Sequence, residues 1–220
     1  MTFPAKAVIF DLDGTLLDTL SDLADSANHV LGQLGLPVHE RDSYRYMVGN
    51  GIEKLVERML PADQRQRQEE VVATLRRHYS KHWADTTAPY PAIPDLLTAL
   101  QERQLPLAVL SNKPEELTRA TVAHYFAAWS FAEVAGARAD FGLKPQPERA
   151  HAMARRLGIA PQEILMVGDS SIDMETAANS GMTGIGVLWG FRGAEELLDH
   201  GARALIKQPL ELLDLIGEDS

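Results

Sequence analysis

The sequence predicts an α/β fold built on a parallel sheet, with a helical block inserted after the first strand. Three observations carry this. Short unbroken apolar runs at 7–10, 105–110, 164–167 and 185–188 have the length and composition of strands buried on both faces. Beyond residue 91 such runs alternate with helical patterns, the order that produces a parallel sheet. From about 16 to 84 the pattern is helical alone, with no strand signal. A chain of 220 residues suffices for one sizeable core with a small second domain.

The first strand, Ala7 to Phe10, runs directly into Asp11-Leu12-Asp13-Gly14-Thr15. Side chains two apart on an extended chain point the same way, so Asp11 and Asp13 are expected to face one spot at the strand's carboxyl end. Two anions so close repel and need a cation, and oxygen-only ligands suit a hard ion such as Mg²⁺. With a phosphate neutralised by that ion, one carboxylate could attack phosphorus while its neighbour handles the leaving group's proton. A calcium loop is a poorer match, because the positions that should hold Gly and Glu hold Leu16 and Asp22. Two surface aspartates in a turn is the remaining alternative, and the rest of the chain must decide.

Helical spacing follows in Leu20, Leu23, Ala24, Ala27, Leu31 and Leu34, until Gly35 and Pro37 stop it. Asp18, Thr19 and Ser21 are candidate caps for its start. The turn Gly49-Asn50-Gly51 opens a second helix with Ile52, Leu55, Val56, Met59 and Leu60 on one face, ended by Pro61. A third runs from about Gln64 to Trp83. The stiff connector 89–94 leads to a helix over 95–104 and a strand from Leu105 to Leu110, ending at Ser111-Asn112-Lys113-Pro114. A helix from Pro114 to about Ala127 and a strand near Phe131 to Ala135 come next. The loop 142–147, which contains Lys144, opens a helix closed by Gly158. The strand Ile164 to Val167 ends at Gly168-Asp169-Ser170, a helix runs to Gly181, and Ile185 to Leu188 is a fifth strand. Ala204 to Ile206 is a candidate sixth.

Polar groups thus fall at the carboxyl ends of three strands, where open α/β sheets place their ligands. Ser111 begins a helix, so its hydroxyl and the nearby N–H groups could hold phosphate oxygens, or merely cap the helix. Lys144 could balance the charge of nucleophile and phosphate, although a lone loop lysine is ordinarily solvated. Asp169 and Asp173 span a strand end and a first helical turn, from which both can face the cation.

In order, Asp11-Leu12-Asp13-Gly14-Thr15, Ser111, Lys144 with Pro145, and Gly168-Asp169-Ser170-Ser171-Ile172-Asp173 resemble the four motifs of the haloacid dehalogenase superfamily of aspartate-nucleophile phosphatases. The resemblance covers residues 7 to about 190. It implies a Rossmann-like core (the HAD fold) from 1–15 plus 85–220, and a small α-helical cap over 16–84. It further implies that Asp11 attacks phosphorus to form an aspartyl-phosphate, and that Asp13 serves as acid and then as base. Thr15, Ser111 and Lys144 would hold the phosphoryl oxygens. Mg²⁺ would be bound by Asp11, the Asp13 backbone carbonyl and Asp169, with Asp173 reaching it through water or orienting a ligand. Within the superfamily, Val48-Gly49-Asn50-Gly51, Ser111-Asn112-Lys113-Pro114 and Trp189-Gly190 look most like phosphoglycolate phosphatases, many of which have Thr where Ser111 stands.

The expected reaction is therefore Mg²⁺-dependent hydrolysis of a small phosphate monoester, with phosphoglycolate first. A sugar phosphate, pyrophosphate or a phosphosugar mutase reaction is the alternative, and a phospho-accepting signalling module the alternative from another class. In a receiver the accepting Asp lies on an interior strand, whereas here it follows the first. For phosphoglycolate the leaving group carries a carboxylate, which Gly49, Asn50 and Gly51 could meet with backbone N–H groups or merely form a helix-to-helix turn; Asn112 is a further candidate substrate contact, and Arg45 or Lys54 could supply a cation, although each is ordinarily a solvated surface charge. A formal net charge of −10 argues against a nucleic-acid or anionic-membrane surface. Cysteine is absent, which excludes disulfides, thiolate metal sites and a thiol nucleophile. There is no signal-peptide pattern at the start and no run long enough to span a bilayer, so a cytoplasmic monomer or homodimer is expected.

Overall fold

The computed structural model describes residues 1–217. In chain order the elements are β1 (Ala7–Phe10), β2 (Leu17–Asp18), α1 (Leu20–Gln33), α2 (Ile52–Met59), α3 (Gln68–His82), β3 (Ala88–Pro89), α4 (Ile93–Glu102) and β4 (Leu107–Pro114). They continue with α5 (Glu115–Tyr125), β5 (Glu133–Ala137), α6 (Glu148–Leu157), β6 (Ile164–Gly168), α7 (Ser171–Ser180), β7 (Thr183–Val187), α8 (Ala194–Asp199), β8 (Ala204–Ile206) and α9 (Leu212–Leu215). Short 3-10 helices precede α2 and α3, at Arg41–Tyr46 and Ala62–Arg67.

Among the described residues, six strands form one parallel sheet in the order β5-β4-β1-β6-β7-β8. β1 is central, paired with β4 on one side and β6 on the other. Their carboxyl ends, which carry Asp11, Ser111 and Asp169, therefore open on the same crevice. Alternation along β1 explains its unbroken apolar run. Val8 and Phe10 pack with Leu107, Val109 and Val167 on one face, while Ala7 and Ile9 pack with Ala108, Met153 and Met166 on the other.

β4 begins at Leu107, two residues later than the apolar run suggests. Pro106 has no N–H for the ladder and serves through its carbonyl, which accepts from Val8 N at 3.0 Å. At its other end β4 continues through the predicted loop. Leu110 pairs with Ala135 but Pro114 pairs with Ala137, so four residues advance on one strand against two on its partner. This bulge re-aims Ser111, Asn112 and Lys113 toward the crevice. It also presses the Lys113 carbonyl onto β5, where a Cβ on Gly136 would lie 2.6 Å from that oxygen. Gly136 is the residue that makes the bulge possible.

The helices between residues 20 and 83 have a core of their own, with Ala24, Leu31, Tyr44, Val56, Met59 and Leu75 buried together, and Phe191 entering from the sheet side. The two segments leading to this helical block run as a ribbon, because β2 and β3 pair antiparallel through Leu17 with Pro89 and Asp18 with Ala88. Two residues per strand are too few to show a pattern in sequence.

Asp22, in the first turn of α1, fastens this ribbon. Its buried carboxylate accepts from Thr86 N at 2.9 Å, Thr87 N at 2.9 Å and both threonine hydroxyls. Burial alone would raise its pKa, but these bonds together hold it below the ordinary carboxylate value. Replacing Asp22 by Ala strands four donors and is expected to lower the unfolding free energy by roughly 2–3 kcal/mol in urea titrations. Because the folded-state pKa is the depressed one, this contribution is whole above about pH 4 and is lost as pH falls through the folded value. An Asp22→Ala variant with unchanged acid and urea midpoints would show that the contacts carry no stability.

Candidate active site

Asp11 is the first residue beyond β1, held by its N–H to Val167 O at 2.9 Å. Its carboxylate Oδ1 accepts from Lys144 Nζ at 2.6 Å, and the same ammonium reaches Asp173 Oδ1 at 2.7 Å. The other oxygen of Asp173 accepts from Ser170 N and Oγ, at 3.1 and 2.7 Å, which closes a capping box at the start of α7. Asp169, at the end of β6, accepts from Phe191 N at 2.7 Å.

Carboxylate oxygens of Asp11, Asp169 and Asp173 all lie within 4.8 Å of one another, and all three residues are buried. One ammonium does not balance three carboxylates. Burial pushes the Asp11 pKa well above the usual range, with Asp173 and Asp169 adding to the effect and Lys144 opposing it. Asp169 is pushed up to about 7, first by burial and then by Asp173. Lys144 moves upward as well, because its two carboxylate partners outweigh the burial that alone would lower it. An excess of buried negative charge with an all-oxygen donor set fits a hard divalent cation.

Lys144 is positioned through its backbone. Its N–H donates to Asn112 Oδ1 at 2.8 Å, and Asn112 Nδ2 donates to Lys144 O at 3.1 Å and to Gly49 O, in the helical block, at 3.0 Å. Thr15 lies with its hydroxyl 3.5 Å from Asp169 Oδ1, while its carbonyl accepts from Trp189 Nε1 at 2.9 Å. Ser111 Oγ accepts from Lys113 N at 3.2 Å. Backbone passes unusually close to Asp169, since a Cβ on Gly14 or Gly190 would lie 2.4 or 2.3 Å from it.

Asp13 departs from the expectation that it shares one spot with Asp11. Its carboxylate is outside the three-carboxylate group and pairs with Lys113 Nζ at 2.9 Å. The strand ends at Phe10 and the chain turns at Gly14, which has φ of +93°, so the alternation that would align the two side chains stops before Asp13.

A cavity of about 900 Å³ runs from Asp11, Asp13 and Ser111 out under Gly49, Gly51 and Tyr79 of the helical block. Asn50 does not line it, and its side-chain oxygen accepts instead from Arg58 at 2.7 Å. Neither candidate cation, Arg45 or Lys54, lines it. Arg45 donates to Gly190 O at 3.2 Å, and Lys54 pairs with Glu57 at 2.6 Å on the surface. Lys113 and Arg192 line the cavity in their place. Nothing in the sequence pattern marked Arg192, whose guanidinium reaches across to Val48 O at 3.1 Å. Lys113 follows Ser111 and Asn112 in sequence, and nothing in that spacing assigns it a role.

Replacing Lys144 by Met leaves Asp11 and Asp173 buried without their cation. Breaking a buried pair from one side is expected to cost roughly 3–5 kcal/mol of unfolding free energy in metal-free buffer. Added divalent ion should then raise the melting temperature of the variant more than that of the wild type. A variant as stable as the wild type would show that the ammonium is not what holds these carboxylates.

Against known proteins, a family model described as haloacid dehalogenase-like hydrolase matches residues 8–187. A phosphoglycolate phosphatase from Chromobacterium violaceum is 36% identical over 227 residues, covering 96% of each chain. One from Escherichia coli is 32% identical over 234 residues, covering 96% of this chain and 92% of that one. Among solved structures, a candidate phosphoglycolate phosphatase from Lactobacillus delbrueckii subsp. bulgaricus superposes with a TM-score of 0.92 at 30% identity, covering 98% of this chain and 100% of the other.

Proposed function

This chain belongs to the haloacid dehalogenase-like hydrolases, and from that premise we propose a cytoplasmic phosphatase of small phosphate monoesters, phosphoglycolate first among them. The observation that supports this best is the buried Asp11 carboxylate at the cavity's inner end, held by Lys144 where three strand ends converge. Asp11 attacks phosphorus, the P–O ester bond breaks, and the departing alkoxide takes its proton from Asp13. Water then attacks the aspartyl-phosphate, Asp13 accepts the water's proton, and phosphate leaves. Lys144, Ser111 and Thr15 hold phosphoryl oxygens through these steps.

A divalent cation, Mg²⁺ in this reading, would be held by Asp11, Asp169 and the Asp13 carbonyl with Asp173 beside them, and would neutralise the charge that nucleophile and phosphate bring together. Residues 16–84 act as a cap over the core formed by 1–15 and 85–220. The β2–β3 ribbon serves as its hinge, so closure excludes bulk water.

A cavity of about 900 Å³ is larger than a two-carbon leaving group fills, which keeps a sugar phosphate in contention. Phosphate release from a panel of phosphoglycolate, sugar phosphates and pyrophosphate, with and without Mg²⁺, tests the proposal. Highest kcat/KM on phosphoglycolate with Mg²⁺ is expected. Preference for another ester removes phosphoglycolate, isomerised product without phosphate release identifies a mutase, and a stable phosphoprotein without turnover identifies a receiver.

A further inference from the structure

Asp13 hands its proton to the ester oxygen, so whatever substituent lies beyond that oxygen sits beside the Asp13 carboxylate. In phosphoglycolate that substituent is a second anion, joined through one carbon. The cation at this place is Lys113. Its Nζ lies 2.9 Å from Asp13 Oδ1 and 3.0 Å from the hydroxyl of Tyr79, and its side chain is only 3% exposed. The bulge in β4 puts Lys113 there, and α3 brings Tyr79 from the helical block.

We propose that the Lys113 ammonium and the Tyr79 hydroxyl together read the carboxylate of the leaving group, which makes Lys113 the specificity-determining residue of this site. The inference rests on the phosphoglycolate reading above. The other cations lining the cavity are engaged away from this point. Lys144 is held by Asp11 and Asp173, Arg76 pairs with Glu53, Arg138 pairs with Asp140, and Arg192 bonds Val48 O and pairs with Glu196. An ammonium has three donors, of which Asp13 and Tyr79 take two. The Tyr79 hydroxyl accepts from Lys113 and keeps its own proton to donate. A carboxylate arriving between them finds two donors, whereas a neutral substituent leaves a buried ammonium poorly matched. Tyr79 belongs to the cap, so the reading is complete only with the cap over the core.

The test compares kcat and KM on phosphoglycolate and on hydroxyethyl phosphate, which has the same chain length and a neutral hydroxyl in place of the carboxylate. Lys113→Gln is expected to lose roughly 10²-fold in kcat/KM on phosphoglycolate, chiefly through KM, and less than about tenfold on hydroxyethyl phosphate. Lys113→Arg should keep the preference. Tyr79→Phe, a change that only removes an oxygen, should lose about tenfold on phosphoglycolate alone, and it decides the matter if Lys113→Gln does not fold. Equal losses on both substrates, or a preference that survives Lys113→Gln, overturn the inference while the phosphoglycolate reading stands. A wild-type enzyme with no preference between the two esters removes the phosphoglycolate reading and the inference with it.

Discussion

Asp11→Asn is expected to lower kcat on the order of 10⁴-fold or more while leaving the chain at least as stable as the wild type. The amide keeps the shape of the carboxylate but cannot attack phosphorus, so no aspartyl-phosphate forms. Stability should move the other way. Asp11 is one of three carboxylates crowded into a buried site, and its burial and its neighbours Asp173 and Asp169 already disfavour its charge. Neutralising it relieves repulsion that the single Lys144 does not offset, a pattern familiar where function is kept at the expense of stability. In metal-free buffer the urea midpoint of the variant should therefore equal or exceed that of the wild type. Mass spectrometry of enzyme quenched during turnover should find a phosphate adduct on the wild type and none on the variant. A folded variant that retains most of its activity would defeat the mechanism.

The parts of this site that were legible in the sequence are those set by local chemistry. Asp11 follows an apolar run that is the central strand, and Asp169 and Asp173 straddle a strand end and a capping box, so each could be located from its neighbours. Lys144 was a weak candidate until the resemblance singled it out, since a lone loop lysine is ordinarily solvated, its partner Asp11 is 133 residues away and nothing in the loop foretells the pair. Contacts made across the fold were not legible. Asp13 meets Lys113 at a separation of 100 residues, and Lys113, on strand β4, meets Tyr79 of α3. Both depend on a bulge whose one sequence trace is Gly136, a glycine in a strand interior that reads equally well as a weak point. For the same reason the sequence leaves open where Arg45 and Lys54 point: Lys54 is a surface charge, as a lone lysine ordinarily is, and Arg45 reaches Gly190 instead. Proximity in sequence to Gly49–Gly51 said nothing about which way their long side chains turn. The short helices α8 and α9, of six and four residues, hold too few turns for a periodic pattern.

Asp13→Asn is the variant whose effect should depend on the ester supplied. Asp13 lines the cavity, its side chain is 28% exposed, and its carboxylate stands apart from the three that fit a cation. This is where a proton donor to the leaving group belongs. Asparagine has no acid proton, so an alkyl ester, which departs as a strongly basic alkoxide, should lose on the order of 10²- to 10⁴-fold. A nitrophenyl ester departs as a stable phenolate and needs little help. Steady-state rates alone would blur the distinction, because Asp13 also accepts the proton of the hydrolytic water, and that second step slows for every substrate. The first turnover separates the two roles. With nitrophenyl phosphate the variant should release a burst of phenolate close to one per enzyme at nearly the wild-type rate, and then stall with phosphate on Asp11. With phosphoglycolate the burst itself should be slow. If the burst is slowed equally on both esters, Asp13 is not the acid, and the group that protonates the leaving oxygen has to be sought elsewhere along the cavity.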